Sequence, residues 1–248
     1  MLQDDLRCLW AITRKDLRAY YFKPPNISWG ILFPFAFVLA FVVRDGATVD
    51  RTDLAGLMPG LIALTLLFGT SSMEAIVITF EQRIGALERL LLAPLRLPAL
   101  LAAKLLGGIV FGLATSAVVL LAALALFGAG GIRWGLLIAT LVLAAAAFSA
   151  MGVLVSVSVK EVFEAQTLAN MFRFPMMFLG GVFVPVASLP LALRIAARLM
   201  PLTYAVEALR AALDGGAAGP ALLDLAVLAL FTSVLFALAV RLLARRVA

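Results

Sequence analysis

Residues 81–104 read EQRIGALERLLLAPLRLPALLAAK, and they form the most charged internal segment of a very apolar chain. Long hydrophobic runs lie on both sides of this segment. Its charged side chains are too numerous to be buried in lipid, where each ionised group is costly. We therefore expect the segment to lie in water or at the surface of a membrane.

The spacing of apolar residues predicts a short amphipathic helix over residues 81–92. Gly85 is a weak point in its middle, and Pro94 and Pro98 stop it and start the next helix. Its apolar face carries Ile84, Leu87 and Leu91. A short helix fixed between two long hydrophobic runs would act as a rigid lever on both of them. An ordinary solvated loop is the alternative.

The composition places the chain among membrane proteins. Of its 248 residues, 64% are hydrophobic and 14% are charged, whereas a soluble domain is nearer half apolar and about a quarter charged. A bilayer core is ~30 Å thick, so a spanning helix needs ~20 apolar residues. We therefore expect one integral membrane domain over residues 1–248, with little chain left for a soluble domain.

The sequence argues against catalysis by this chain. It lacks histidine, which excludes His-based acid–base catalysis, imidazole metal sites and Ser-His intramembrane proteolysis. The hydrophobic runs hold no pair of Asp for aspartyl proteolysis and no acidic cluster for metal-dependent transfer. No G-x-x-x-x-G-K-[ST] sequence occurs, so any nucleotide belongs to a partner. We expect no catalytic residue, metal or cofactor on this chain itself.

Six hydrophobic segments are long enough to cross a bilayer. They cover residues 27–43, 54–79, 99–127, 134–159, 167–186 and 221–243. An amphipathic helix over residues 4–22, within the N-terminal segment 1–25, precedes them, and its aromatic and arginine side chains suit the headgroup layer. The predicted fold class is an all-α integral membrane protein, with an interfacial helix, six transmembrane helices and short helices between the fifth and sixth.

The basic residues predict the orientation of the chain. With both termini in the cytoplasm, 14 of the 20 Lys and Arg residues fall inside and six fall outside, as the positive-inside rule requires. The net charge of +6 has the same explanation, so we expect no nucleic-acid partner. We expect a multi-pass protein of the inner or plasma membrane, with residues 81–98 in the cytoplasm.

Several side chains inside the predicted spans are candidates for a transport pathway. Glu74 is the only acidic residue well inside a span, and snorkelling or pairing with Arg173 are the alternatives to a transport role. Aromatic and methionine side chains hint at an apolar or amphipathic cargo, although helix packing or lipid contact explains them equally well. They are Phe33, Phe37, Phe41, Phe172, Phe174, Met176, Met177 and Phe178.

Residues 81–96, EQRIGALERLLLAPLR, resemble the loop of ABC-2 type transport permeases, whose usual form is E-R-x-x-G-T-L-E-R-L-x-x-[ST]-P. Ala86 and Ala93 stand where that family has small hydroxyl residues, and the charges are kept. A second resemblance, to the family's C-terminal signature, covers residues 174–210 and includes FP, GGVFVP, LP, PLTY and EALR in order. With the six-span layout, the resemblance extends over almost the whole chain.

The resemblance implies a transport subunit. Such permeases dimerise and sit on two ABC ATPase subunits, which bind ATP and Mg, and the loop after the second span acts as the coupling helix. The implied ATPase-coupling residues are Glu81, Arg83, Gly85, Glu88 and Arg89. The implied partners are an ABC ATPase, a second permease copy or a paralogue, and membrane lipids. The implied function is export of an amphipathic drug, lipid, glycolipid or polysaccharide by alternating access.

The region between the fifth and sixth spans, residues 187–220, is marked by proline and glycine. Gly180-Gly181 predicts a break before it, and residues 190–201 predict a short amphipathic helix. Thr203 would cap a second helix, in which Glu207 and Arg210 pair. The family forms re-entrant helices here, so the resemblance implies an extracellular gate; a plug or a dimer-packing element is the alternative. The gate candidates are Gly180, Gly181, Pro185, Pro190, Pro201, Glu207 and Arg210.

A secondary transporter or channel without an ATPase is the alternative function. Glu74 and Arg173 are its only support, and no inverted repeat is evident. Flux driven by an ion gradient would favour this alternative, whereas association with an ABC ATPase would favour the permease.

Overall fold

The computed structural model describes residues 2–23, 36, 51–91, 96–215 and 218–247, and these ranges are helical without a strand. The helices are α1 (Leu2–Asp16), α2 (Arg51–Arg83), α3 (Ala86–Leu91), α4 (Leu97–Phe127), α5 (Trp134–Ser158), α6 (Val162–Leu179), α7 (Leu191–Arg198), α8 (Pro201–Leu213) and α9 (Ala218–Val247). A π-helical turn, Leu17–Tyr21, continues α1, and a 3-10 turn, Val186–Ser188, precedes α7. The predicted all-α class is confirmed over these residues.

Four helices of the described ranges are long and apolar enough to cross a membrane. They are Ala55–Arg83 of α2, Leu97–Phe127 of α4, Trp134–Ser158 of α5 and Gly219–Arg246 of α9. These helices correspond to the second, third, fourth and sixth predicted spans. The first predicted span, residues 27–43 with Phe33, Phe37 and Phe41, lies outside the described residues except for Ala36.

The fifth predicted span corresponds to α6, but its bounds differ. The prediction covers residues 167–186, whereas α6 is Val162–Leu179 and is not one of the four long apolar helices. Arg173 and other polar side chains reduce its hydropathy. The helix ends early because Gly180 and Gly181 follow it, and Gly181 adopts a φ of 80°, which glycine tolerates far better than other residues. The number of spans stays a prediction.

Helix α2 is the centre of the bundle. It contacts α4, α5, α6 and α8, and most of its apolar length is buried inside the protein. Helices α4 and α9 expose most of the side chains of their apolar stretches. Because the outer helices present apolar side chains to the surroundings, the bundle is suited to lipid rather than to water.

Glycines allow α4 and α5 to approach α2 closely. Gly108 and Gly112 of α4 face α2, where a Cβ on Gly108 would lie 2.5 Å from Glu74 Oε1. On α5, a Cβ on Gly152 would lie 2.8 Å from Glu74 Cβ and from the carbonyl oxygen of Ser71. These contacts leave no room for a side chain at either glycine, so α4 and α5 pack nearly backbone to backbone against α2.

The bundle has two ends of different character. At one end, which we call the α1 end, Arg83, the last residue of α2, lies 3.8 Å from Glu161 before α6, and Arg246 of α9 donates a hydrogen bond to the Ser158 carbonyl oxygen at 2.7 Å. At the other end, which we call the α8 end, the backbone N–H of Arg133 before α5 donates to the last turn of α8 at 2.9 Å. The two short helices α7 and α8 belong to this second end.

The glycine contact predicts a position-specific stability effect. We expect Gly152→Ala to lower the Tm of the purified protein, because overpacking a tight contact costs about 1–3 kcal/mol. Gly135→Ala in the same helix is the matched control: nothing lies within 4 Å of a Cβ there, so this variant should be as stable as the parent or slightly more stable. Equal Tm values for the two variants in the same detergent would contradict the close α2–α5 contact.

Candidate functional site

The charged segment after α2 forms a turn and a short helix at the α1 end. Helix α2 continues to Arg83, Gly85 adopts a positive φ of 69°, and α3 begins at Ala86. The Gly85 N–H donates to the Gln82 carbonyl oxygen at 3.1 Å, which closes the turn. The predicted single helix over residues 81–92 is therefore wrong, because a left-handed glycine ends the first helix before α3 begins.

The two faces of this turn differ in burial. Leu87 is buried in an apolar cluster with side chains of α1, α2, α4, α5 and α9. Arg83, Glu88 and Arg89 are exposed. Ile84, which the predicted apolar face would have buried, is 51% exposed. Helix α3 is thus fixed to the long helices through a buried leucine and presents charged side chains outward.

Glu81 differs from the other predicted coupling residues because its side chain is fully buried. Its carboxylate accepts hydrogen bonds from Lys104 and from Lys15, the latter at 2.6 Å. Lys104 also donates to Asp16 at 2.6 Å, and the Lys15 ammonium lies 2.9 Å from the other carboxylate oxygen of Asp16. We call these four residues the Lys104 cluster; their two positive and two negative charges balance.

The Lys104 cluster joins three elements of the chain. Asp16 ends α1, Glu81 lies in the last turn of α2, and Lys104 lies in α4. Partial burial by itself lowers the pKa of Lys15, but hydrogen bonds and attraction to Glu81 and Asp16 outweigh that effect and raise the pKa above its ordinary value. These ion pairs stabilise the charged form of Lys15, and the cluster ties α1 to the bundle.

The sequence analysis did not identify Asp16 or Lys104 as site residues. The available signal was the position of Lys104 inside an otherwise apolar helical run. An ionised group at such a position requires a buried partner.

Glu74 lies where α2, α4 and α5 meet. One carboxylate oxygen, Oε1, accepts hydrogen bonds from the Tyr21 hydroxyl at 2.8 Å, the Gly108 N–H at 2.7 Å and the Ser149 hydroxyl at 3.4 Å. The other oxygen, Oε2, is buried without a hydrogen-bond partner among the described residues. The π-helical turn Leu17–Tyr21 delivers Tyr21 to this position, so Glu74 is a second link between the N-terminal segment and the bundle.

Arg173 of α6 is also fully buried, but it does not pair with Glu74. Its guanidinium donates to the Ser72 hydroxyl and to the Gln166 side chain, the latter at 3.4 Å. It also lies 5.3 Å from the ring centroid of Phe68 on α2, in a cation–π contact. Among the described residues, the predicted alternative of a Glu74–Arg173 pair is therefore wrong.

At the α8 end, the predicted short helices are present as α7 and α8, but their polar contacts differ from the prediction. Glu207 pairs with Arg198 of α7 at 2.6 Å, while Arg210 donates to the Gly181 carbonyl oxygen at 3.3 Å. The expected Glu207–Arg210 pair is therefore wrong: each side chain has a partner outside its own helix. Thr203 does not cap α8, because its hydroxyl donates backward to the Ala197 carbonyl oxygen at 2.6 Å.

The remaining gate candidates lie at the breaks between α6, α7 and α8. Gly180 and Gly181 form the break after α6, and a Cβ on Gly180 would lie 2.9 Å from the Leu202 side chain. Pro185 precedes the 3-10 turn, Pro190 precedes α7, and Pro201 is the first residue of α8. Helix α8 is mostly buried, whereas α7 exposes its apolar side chains. The exposed apolar side chains of α7 are Leu191, Leu193 and Ile195, and Leu199 follows them.

The candidate pathway residues do not share one site. Glu74 and Met177 are buried in the bundle, while Phe174 and Phe178 lie exposed on α6. An open groove of about 370 Å³ lies instead between α5, α6, α9 and the start of α8. It is lined by Met151, Leu154, Val155, Ser158, Leu168, Phe172, Met176, Leu199, Pro201, Phe231 and Leu235. Its wall is almost entirely apolar, and Phe172 and Met176 contribute to it.

Within the described ranges, no group of three His, Cys, Asp or Glu side chains is placed to hold a metal ion. The buried carboxylates instead hold Lys15, Lys104 and Tyr21 in place. The geometry of these residues is that of mechanical links between helices rather than of a reaction centre.

The Lys104 cluster predicts a stability effect that depends on charge balance. We expect Lys104→Met to destabilise the protein by about 3–5 kcal/mol, because it leaves the Asp16 and Glu81 carboxylates buried with too little positive charge. Adding Glu81→Gln should recover part of the loss, since it restores a net charge of zero. Lys160→Met, at an exposed position, is the control. A Tm for Lys104→Met equal to that of the control would contradict the cluster.

Comparison with known families identifies the chain. A family model described as ABC-2 type transporter matches residues 7–213. No curated protein sequence matches the chain. The match covers α1 to α8, including the Lys104 cluster, the turn at Gly85 and the α7–α8 region. The chain therefore belongs to the ABC-2 type transporter family, and it is a multi-pass membrane protein that forms the permease component of an ABC transporter.

Proposed function

We propose that this permease is the membrane subunit of an ATP-driven exporter, which moves an amphipathic substrate out of the cytoplasm by alternating access. A separate ABC ATPase chain binds and hydrolyses ATP with Mg, and the permease itself has no catalytic residue or bound cofactor. The observation that carries the proposal is the exposed, charged turn at Gly85, fixed to the long helices through Leu87. A soluble partner that binds such a turn is connected through it to the membrane-embedded helices.

The contact with the ATPase is made by the exposed charges of this turn. Arg83, Glu88 and Arg89 present both signs of charge on one short segment, which suits orientation and partner choice more than raw affinity. Gly85 sets the angle between α2 and α3 because of its positive φ. Glu81 acts behind this surface: its buried carboxylate holds Lys104 and Lys15, so that α1 follows the movement of α2 and α4.

Movement of α3 is then transmitted to the bundle through contacts that join several helices. Leu87 packs with residues of α1, α2, α4, α5 and α9, so that a push on α3 is shared by several helices. Tyr21 and Glu74 join the N-terminal segment to the junction of α2, α4 and α5. We infer that ATP binding moves this end as a unit, and that opening occurs at contacts less strongly held, such as those of α6.

The α8 end forms the extracellular gate. Residues 187–220 include α7 and α8 and act as a re-entrant element, with Gly180, Gly181, Pro185, Pro190 and Pro201 at its breaks. The apolar side chains exposed on α7 suit the outer leaflet of a bilayer. The Arg198–Glu207 ion pair, at 2.6 Å, and the hydrogen bond from Arg210 to Gly181 close the element onto α6 and α8.

The permease works as a dimer with a second copy or a paralogue, in contact with membrane lipids. Helix α6 supports this assembly because it exposes a long row of large apolar side chains that the bundle does not cover. The row comprises Phe163, Met171, Phe174 and Phe178.

The substrate pathway includes Phe33, Phe37, Phe41, Glu74 and Met177, and the apolar groove between α5, α6 and α9 provides room for an apolar cargo. Nucleic acid is not a partner.

The coupling surface is tested by charge reversal. We expect Arg89→Glu to weaken association with the ABC ATPase about tenfold, a loss of about 1.4 kcal/mol, because it opposes complementary charges across the contact. The affinity-tagged permease is purified from cells that also produce the ATPase, and the ATPase that co-purifies is quantified. Arg194→Glu, exposed at the α8 end, is the control and should leave recovery unchanged.

Two results would contradict this assignment. One is equal ATPase recovery with Arg89→Glu and Arg194→Glu. The other is a complete absence of an ABC ATPase from cross-linked purifications of the parent protein. Flux that is driven by an ion gradient in vesicles without an ATPase would favour a secondary transporter or channel instead.

The proposed orientation, with both termini in the cytoplasm of an inner or plasma membrane, predicts opposite labelling at the two ends of the bundle. In a Cys8→Ser background, Ala187→Cys should react with a membrane-impermeant maleimide from outside intact cells. Ile84→Cys should react only after permeabilisation, because it lies in the cytoplasmic turn. Both positions are exposed in the structure, as is Cys8 in the parent protein. Labelling of Ile84→Cys in intact cells would place the turn on the outer side and contradict the proposal.

A further inference from the structure

Arg173 is a buried cation without a compensating anion among the residues that the structure describes. It is fully buried at the contact between α2 and α6, and it takes part in none of the ion pairs found among the described residues. Its neighbours, Ser72, Gln166 and Phe68, are all neutral. Taking a guanidinium out of water is costly unless a negative charge or a full set of acceptors replaces the water.

The hydrogen-bonding capacity of Arg173 is only partly used. A guanidinium has five N–H donors in a fixed fork. In the described structure, Nη1 donates to Ser72 and Nη2 donates to Gln166, while Nε is buried without a partner. The Gln166 contact is long, at 3.4 Å. Unused donors in a planar fork match the oxygens of a phosphate or a carboxylate, which bind such forks in a bidentate manner.

The nearest long helix does not supply the missing charge. Glu74 of α2 is the buried carboxylate closest in sequence to Ser72, but its Oε1 is held by Tyr21, Gly108 and Ser149 on the side of α2 that faces α4 and α5. Arg173 meets α2 through Phe68 and Ser72, on its α6 side. Glu74 and Arg173 are therefore held by separate partners on different sides of α2, and Glu74 does not pair with Arg173.

The surroundings of Arg173 suit an amphiphile rather than a simple ion. Phe172 and Met176, one and three positions away on α6, line the open apolar groove of about 370 Å³. Arg173 is not among the residues that line this groove, but Met176 of its wall lies three positions along α6 from Arg173, a spacing at which helical residues are surface neighbours. The neutral Ser72 and Gln166 give further polar contacts to a headgroup, while the groove accepts an apolar chain.

We infer that Arg173 binds the anionic headgroup, phosphate or carboxylate, of an amphipathic substrate when α6 separates from α2. This inference rests on the proposed export function and narrows its substrate to amphiphiles of negative charge. In the described conformation the guanidinium contacts three neutral side chains, Ser72, Gln166 and Phe68. Substrate oxygens replace these contacts. The substrate's charge then neutralises Arg173 inside the bundle.

The test compares two probes of which only one carries an anionic phosphate group. Oleoyl lysophosphatidic acid and monooleoylglycerol share one acyl chain, and only the first carries a phosphate. Binding of radiolabelled lysophosphatidic acid is measured on the full-length permease in phosphatidylcholine nanodiscs, with unlabelled monooleoylglycerol, oleate, oleamide and inorganic phosphate as competitors. We expect the parent protein to prefer lysophosphatidic acid to monooleoylglycerol by about tenfold or more, since a charge-assisted bidentate contact is present for one probe alone.

The variants assign that preference to Arg173. Arg173→Gln should weaken lysophosphatidic acid binding about tenfold and leave monooleoylglycerol binding unchanged. Arg173→Lys should retain part of the preference, because it keeps the charge but not the fork. Arg241→Gln, at an exposed position of α9, removes the same charge and should change neither probe. Oleate competing better than oleamide would extend the site to carboxylates.

Several outcomes would overturn the inference. They are equal binding of the two probes by the parent protein, an equal loss of both probes in Arg173→Gln, or the same loss in Arg241→Gln. Competition by inorganic phosphate as strong as that by lysophosphatidic acid would overturn the assignment to amphiphiles. Equal binding of the two probes by the parent protein would overturn the inference even if Arg173→Gln does not fold, and Arg173→Lys is then the variant that assigns the preference. Because the assay requires no ATPase, its result is independent of whether the proposed coupling to an ATPase fails.

Discussion

The buried ammonium of Lys104 binds two carboxylates, Asp16 and Glu81, that come from different helices. Hydrophobic packing alone would hold α1, α2 and α4 together without fixing their register, because apolar contacts have no direction. The ion pairs do have direction, and removing one partner leaves an uncompensated charge in an apolar interior. The same end carries the exposed turn at Gly85, whose Leu87 packs into a cluster shared by five other helices. Several helices are therefore joined to one another at this end.

Two further buried ionisable side chains, Glu74 and Arg173, have different surroundings. Glu74 receives three hydrogen bonds on one oxygen, and the glycines of α4 and α5 that face it make this close approach possible. Arg173 has only neutral neighbours and an unused N–H. The hydrogen bonds of Glu74 hold helices together. At the contact between α2 and α6, by contrast, the charge of Arg173 has no anionic partner among the described residues.

Sequence patterns predicted the helices and the breaks between them well where these depend on residues that are neighbours along the chain. Apolar runs marked the long helices α2, α4, α5 and α9, and proline and glycine marked the breaks around α7. Several of the predictions that failed concerned partners. Glu207 pairs with Arg198 of α7 rather than with Arg210, and Glu81 is enclosed by Lys104 and Lys15 rather than exposed beside Glu88. Helical spacing identifies neighbours on one helix, but it carries no information about the adjacent helix.

The sequence by itself determined that this chain is a helical membrane protein, because the length and apolar character of its hydrophobic runs can be read directly along the chain. It also determined the family, because the charged segment after the second span and the glycine- and proline-marked segment near the end keep their order and spacing. Only the tertiary structure decided which charged residues face outward and which hold helices together. Burial and pairing depend on distances between segments far apart in the chain, such as Asp16 and Lys104, and no local pattern encodes those distances.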